Sequence, residues 1–236
     1  MKRDHHFYTS TSFVMLVLML IGFQKFYQQG KEANGHDVPH PILALVIVHG
    51  VALTLWVALF FVQSLLIAAQ KRQLHMKLGW AAATAALVIA GSGPLLALAG
   101  PQLQPGRHVA GMTYRQFMLP MFVEIAAFTV FVALGLYFRK KPAIHRSMML
   151  LATLSVISGA TSRTEFINQI FGGRGWNGLF GPVFILGALI IIIRILLTRT
   201  VDRWFALGYH GLAGAYIAAM HLAVGESWSR MAEQIP

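Results

Sequence analysis

Seven long runs of apolar residues, separated by short polar stretches, organise this chain. They lie at 11–27, 42–69, 77–99, 117–138, 145–163, 180–198 and 204–224. Each approaches the roughly 20 residues that an α-helix needs to cross the hydrocarbon core of a bilayer. The pattern predicts an all-α, polytopic membrane protein with seven transmembrane helices in one domain, 1–236. The sixth run opens with Gly181-Pro182, a favourable start because proline in the first helical turn gives up no needed hydrogen bond. The second is long enough to tilt or to project beyond the bilayer. The first ends in Gly22-Phe23-Gln24-Lys25-Phe26-Tyr27, which lacks the small residues of a signal-peptidase site. It is therefore read as a retained helix rather than a cleaved leader.

Composition supports this pattern. The chain is 56% hydrophobic and only 11% charged, against about 25% charged in soluble domains. Too few charges remain to cover a water-soluble core, so lipid must solvate most of the surface. The net charge of +11 does not indicate nucleic acid, because the basic residues sit in connectors between apolar runs. With the N-terminus inside, 12 of the 19 basic residues fall on the inner side, including the compact clusters Lys71-Arg72 and Arg139-Lys140-Lys141. The positive-inside rule then predicts a cytoplasmic N-terminus in a bacterial inner membrane. Anionic lipids are the expected partners on that side. Partner subunits of a larger membrane complex and a homo-oligomer both stay open.

The absence of cysteine excludes disulfides, iron–sulfur clusters and thiolate chemistry. No nucleotide-binding loop, no assembled Ser-His-Asp set and no lysine deep in a span is visible. The outer connectors, 28–41, 100–116 and 164–179, are longer and rich in Gly, Pro, Asn and Gln. They read either as solvated linkers or as a lid over an outward-facing pocket.

Ionisable groups inside a bilayer are costly, so each marks a candidate site. His49 and Glu124 lie about two turns into the second and fourth runs from the outer side. His221 lies near the outer end of the seventh, and His210 two turns from its inner end. Arg163, Glu165 and Asn168 follow the fifth run and could join the outer group. His49, Glu124 and His221 make a plausible divalent-metal set. They equally suit a buried hydrogen-bond network, a ligand pocket or a proton path, and Glu124 with Arg163 could be a plain ion pair. Met118, Met121 and Glu124 share one helix face. Methionine binds Cu(I) but more commonly fills gaps in packing. Gly208, Gly211, Ala215 and Ala218 form a small-residue stripe suited to close helix packing.

A weak repeat joins the connectors 70–77 and 139–146. Each reads as a basic run, an apolar residue, a histidine and another basic residue within two positions. This suggests related helical hairpins at 42–99 and 117–163, packed side by side. It also puts His75 and His145 at one depth on neighbouring hairpins, where two imidazoles could hold a haem b. The alternative is that both histidines simply sit in the headgroup region.

Two resemblances follow from these residues. His49-Gly50, Trp56, Gln63, Arg72, Leu74-His75 and Leu78-Gly79, then Ile144-His145-Arg146, Met148-Met149 and Arg163, resemble uncharacterised bacterial multi-helix membrane proteins. Those carry a histidine-glycine helix, an LHRxLG-type loop and an HRxM helix ending in arginine. The match covers about half the chain and bears on fold more than function. More loosely, His40-Pro41, His49-Gly50 and Leu74-His75 look like the transmembrane di-haem b-type cytochromes of the ascorbate and ferric-reductase type. That resemblance implies a haem on His75 and His145 and an outer ligand at His49. The partner of His49 should stand on the fourth helix, where this chain has Glu124 instead. Three classes are therefore carried forward: a b-type haem electron-transfer protein, a haem-free module that binds or transports a small molecule or metal at an outer pocket, and an accessory subunit.

Overall fold

The computed structural model describes residues 2–32, 35–171 and 176–235. Its elements are α1 (Lys2–Gly22), α2 (Gln24–Gln29), α3 (His40–Ala68), α4 (Arg72–Leu103), β1 (His108–Val109), β2 (Met112–Thr113), α5 (Tyr114–Tyr137), α6 (Pro142–Ser155), α7 (Ser158–Thr161), α8 (Glu165–Ile170), α9 (Trp176–Thr198), α10 (Arg203–Ala223) and α11 (Glu226–Gln234). Five of the seven expected runs each fall on one helix, whereas the run at 11–27 is divided between α1 and α2 and that at 145–163 between α6 and α7. Among the described residues five segments are long and apolar enough to cross a membrane: His40–Ala68, Arg72–Leu103, Tyr114–Tyr137, Pro142–Thr161 and Gly178–Thr198. The apolar part of the first, His6–Gly22, is shorter. α10 has 21 residues, but its glycines, tyrosines and histidines dilute its hydrophobicity. The chain is thus a helical protein whose apolar helices fit a bilayer environment.

Two antiparallel hairpins, α3 with α4 and α5 with α6, pack on each other through α4 and α5. α1 leans on α3 and α7, and α10 closes against α5 and α6. The segment 142–161 is the most enclosed of the five spans. Its buried polar positions, Ser147, Thr153, Ser155, Ser158 and Thr161, are compatible with this place because each finds a partner inside the protein. Thr153 accepts from the Trp56 indole at 3.2 Å, and Trp56 packs edge-on to Phe128, ring centroids 5.0 Å apart.

Helix continuity fails between α6 and α7, at Val156-Ile157. A broken helix exposes backbone carbonyls, tolerated at membrane depth only within protein or beside a cavity. Here the Tyr216 hydroxyl of α10 donates to the Ser155 carbonyl at 2.5 Å, and Tyr216 is fully buried. Beside the break, α1 meets α7 almost backbone to backbone: a Cβ on Gly22 would collide with the main chain of Ala160.

The small-residue stripe on α10 packs differently from expectation. Gly208 does lie against Leu151 and Phe131, but Gly211 and Ala218 are exposed. The inward face is Phe205, Leu212, Tyr216, Ala219 and Ala223, where burial of the three large side chains outweighs what Gly211 and Ala218 would gain.

Candidate functional site

At the end of the bundle opposite the basic connectors lies a cavity of about 770 Å³. Residues from α1 to α5, the hairpin β1–β2, α7 and the stretch after it line the cavity, and most of its wall is apolar. His49, Glu124, Arg163 and Asn168 all line it, so four of the candidate residues converge.

Each is held by a neighbour. Ser92 donates its single hydroxyl proton to the Val88 carbonyl at 2.5 Å. Its oxygen therefore accepts from His49 Nδ1, 2.8 Å away. That leaves His49 Nε2 with a lone pair. Ser158, the first residue of α7, donates to Glu124 Oε1, so the helix break delivers the partner of the buried carboxylate. Arg163 gives one N–H to the Gly159 carbonyl and lies over the Phe23 ring, 4.8 Å from its centroid. Glu124 and Arg163 form no ion pair, in contrast to the pairing considered from sequence. Asn168 donates to the Ser162 carbonyl at 2.7 Å.

The mouth is closed in part by the loops at this end of the bundle. Arg107 pairs with Glu32 at 2.7 Å, donates to Gln104 at 2.6 Å and stacks over Tyr114 at 5.2 Å. Gln104 in turn reaches Glu32 at 3.3 Å. These contacts clip the loop after α2 to the segment before β1. Ala110 and Gly111 take φ of +54° and +82° and so turn β1 into β2 tightly.

The metal set does not assemble. His221 is exposed on α10 and does not line the cavity. The helical repeat of 100° per residue puts it on the side away from Ala219 and Ala223, which the core claims. Among the described residues no group of three or more histidine, aspartate and glutamate side chains stands close enough to hold a metal ion. Met118 is buried in the packing while Met121 lines the cavity, so the methionines separate as well. Glu165 and His210 are exposed, outside the cavity lining. His210 turns back to the Ala206 carbonyl at 2.7 Å.

At the basic end, His75 and His145 meet. Their ring centroids are 6.4 Å apart with planes at 90°. His145 Nδ1 donates to the Gly135 carbonyl at 2.8 Å, which leaves its Nε2 free to accept. His75 Nδ1 is buried without a hydrogen-bond partner.

A third cluster, also near the basic end, went unread in the sequence. Arg194 reaches Asp4 at 3.0 Å and Asp202 at 3.6 Å. Asp202 also accepts from Tyr8 at 3.0 Å, from Ser147 at 2.9 and 3.0 Å, and from the backbone N–H of Phe205 at 3.1 Å. A signal existed: Arg194 interrupts an isoleucine-leucine run, where a lone charge implies a partner. Ser92 and Ser158, which fix the cavity's histidine and carboxylate, gave no comparable signal, because serine is common in transmembrane helices. Compared with protein-family models, curated proteins and solved structures, the chain finds no match in any of the three.

Proposed function

We propose that the protein is a small-molecule binding module of the bacterial inner membrane, with its N-terminus in the cytoplasm and its cavity open to the outside. The cavity carries this reading. His49, Glu124 and Arg163 line one space, and each uses only part of its hydrogen-bonding capacity on the protein. Its volume of about 770 Å³ lies within the ~300–1,000 Å³ usual for small-molecule sites, which are mainly apolar with a few placed polar groups. The chain has no cysteine, so a single Met121→Cys substitution reports access to the cavity. An impermeant maleimide added to spheroplasts should label it. Labelling only after denaturation, or only from the cytoplasmic face of inverted vesicles, would overturn the outward-open reading.

A second reading rests on His75 and His145. Two imidazoles bound to one iron, with each iron–nitrogen bond about 2 Å long, have ring centroids about 6 Å apart, and the observed separation is 6.4 Å. The carbonyl holding His145 Nδ1 is the kind of support that orients an iron-ligating histidine. A haem held there would supply one-electron transfer. The two histidines would be its axial ligands, with Lys71, Arg72, Lys140 and Lys141 near enough along the chain to meet its propionates. The test is the reduced-minus-oxidised spectrum of protein made with haem precursor. A b-type band lost in both His75→Ala and His145→Ala supports this reading, and no band in the unaltered protein ends it.

A further inference from the structure

We infer that the outer cavity takes an amphiphilic organic anion, with its acid group on Arg163. This rests on the cavity being a binding site.

A guanidinium has five N–H donors. Arg163 is exposed, lines the cavity, and gives the protein a single hydrogen bond, to Gly159. Its other polar support is the face of Phe23. Among the described residues no acid makes a direct ion pair with it, although Glu124 and Glu32 are near enough to feel its charge. The second cavity arginine, Arg107, is the opposite case, committed to Glu32, Gln104 and the Tyr114 ring. Arg163 is thus a fixed cation with an unused planar fork. That fork is the geometry that binds a carboxylate or phosphate through two parallel hydrogen bonds.

The remaining groups orient the ligand. In the neutral ring, His49 Nε2 accepts only, because its Nδ1 proton goes to Ser92. Glu124 accepts from Ser158 and as a carboxylate would repel an oxyanion. Neither can receive the acid group. Lys25 and Lys31 also line the cavity, but an ammonium lacks the planar fork that holds an acid through two parallel hydrogen bonds, so the acid is assigned to Arg163. Between these poles the wall is apolar, with Phe26, Val46, Leu53, Leu96 and Phe117. A hydrocarbon body would displace water from that wall, which a small inorganic anion would not do. The acid could come from a soluble organic acid or from an anionic phospholipid headgroup.

The Met121→Cys protein in phosphatidylcholine nanodiscs separates these cases. Its thiol is reacted with sulfonatoethyl and with trimethylammonioethyl methanethiosulfonate, each rate divided by that of free 2-mercaptoethanol. The sulfonate should react faster by about tenfold or more, the scale of local charge steering in a low-dielectric cleft. Octanoate should slow labelling, and octanol at the same concentration should not. Adding Arg163→Gln should bring the ratio toward unity and abolish protection. Arg163→Lys should keep the charge preference but weaken octanoate protection. Should the glutamine variant not fold, the octanoate–octanol comparison and the lysine variant still decide. Slower labelling in phosphatidylglycerol nanodiscs without octanoate would assign the acid group to lipid, and octanoate protection in phosphatidylcholine to a soluble acid. Equal normalised rates, or equal protection by octanoate and octanol, would overturn the anion inference and leave the cavity reading standing. No reaction with either reagent would overturn both.

Discussion

Arg194 is only 6% exposed and ties together four helices. Its guanidinium meets Asp4 of α1 and Asp202 at the start of α10, and it lies over the rings of Phe7 and Tyr8 at 5.4 and 5.5 Å. Ser147 of α6 completes the set through Asp202. Removing one member of a buried pair leaves an uncompensated charge, which costs ~3–5 kcal/mol, whereas removing the pair can be nearly neutral. Arg194→Met should therefore lower the thermal midpoint of the detergent-solubilised protein markedly, as should Asp202→Asn, which also weakens the cap on α10. The double variant should lose less than the sum of the two. Strict additivity in that cycle would mean that the pair is not energetically coupled. The cluster holds Arg194 by charge more than by hydrogen bonds, since its Nε and Nη1 are buried without a hydrogen-bond partner, and the double-variant cycle reads that electrostatic coupling directly.

At the scale of elements, hydrophobic runs marked the helices well because bilayer thickness imposes a length that sequence cannot disguise. The run at 42–69 is α3 at His40–Ala68, and that at 204–224 is α10 at Arg203–Ala223. α1 starts at Lys2, well before the apolar run at 11, because Asp4, Phe7 and Tyr8 are drawn into the Arg194 cluster. The run at 145–163 hides the break between α6 and α7. Leu154-Ser155-Val156-Ile157-Ser158 contains no proline or glycine, and what holds the break open is Tyr216, 61 residues away from Ser155. The sequence also left β1–β2 as part of a loop, although Ala110-Gly111 is what allows its tight turn. The cavity was legible in its charged residues. His49, Glu124 and Arg163 stand out because charge in an apolar span is costly. Which helix faces meet was not legible, and His221 was assigned inward for that reason. Periodicity gives a face, but its direction on α10 is set by Tyr216, which donates to Ser155 of α6 and packs on Phe180 of α9.

For the whole molecule, sidedness ties these local features to function. The clusters Lys71-Arg72 and Arg139-Lys140-Lys141 follow α3 and α5, at one end of the bundle, and Arg194 with Asp4 and Asp202 gathers near that end too. The cavity and the Arg107–Glu32 clip lie at the other. Compact basic connectors resist translocation, so the first end should stay in the cytoplasm and the cavity should face out. Gln73 and Gly106 report the two ends: both are exposed, and a side chain on Gly106 would meet open space. Single cysteines there, in a chain with none of its own, should show opposite behaviour toward an impermeant maleimide. Gly106→Cys should be labelled in intact spheroplasts, and Gln73→Cys only in inverted vesicles or after permeabilisation. Labelling of both from one side would be incompatible with α4 crossing the bilayer, since that helix alone separates the two positions. The reverse pattern would keep the bundle but turn the cavity toward the cytoplasm, and any ligand of Arg163 would then have to be a cytoplasmic one.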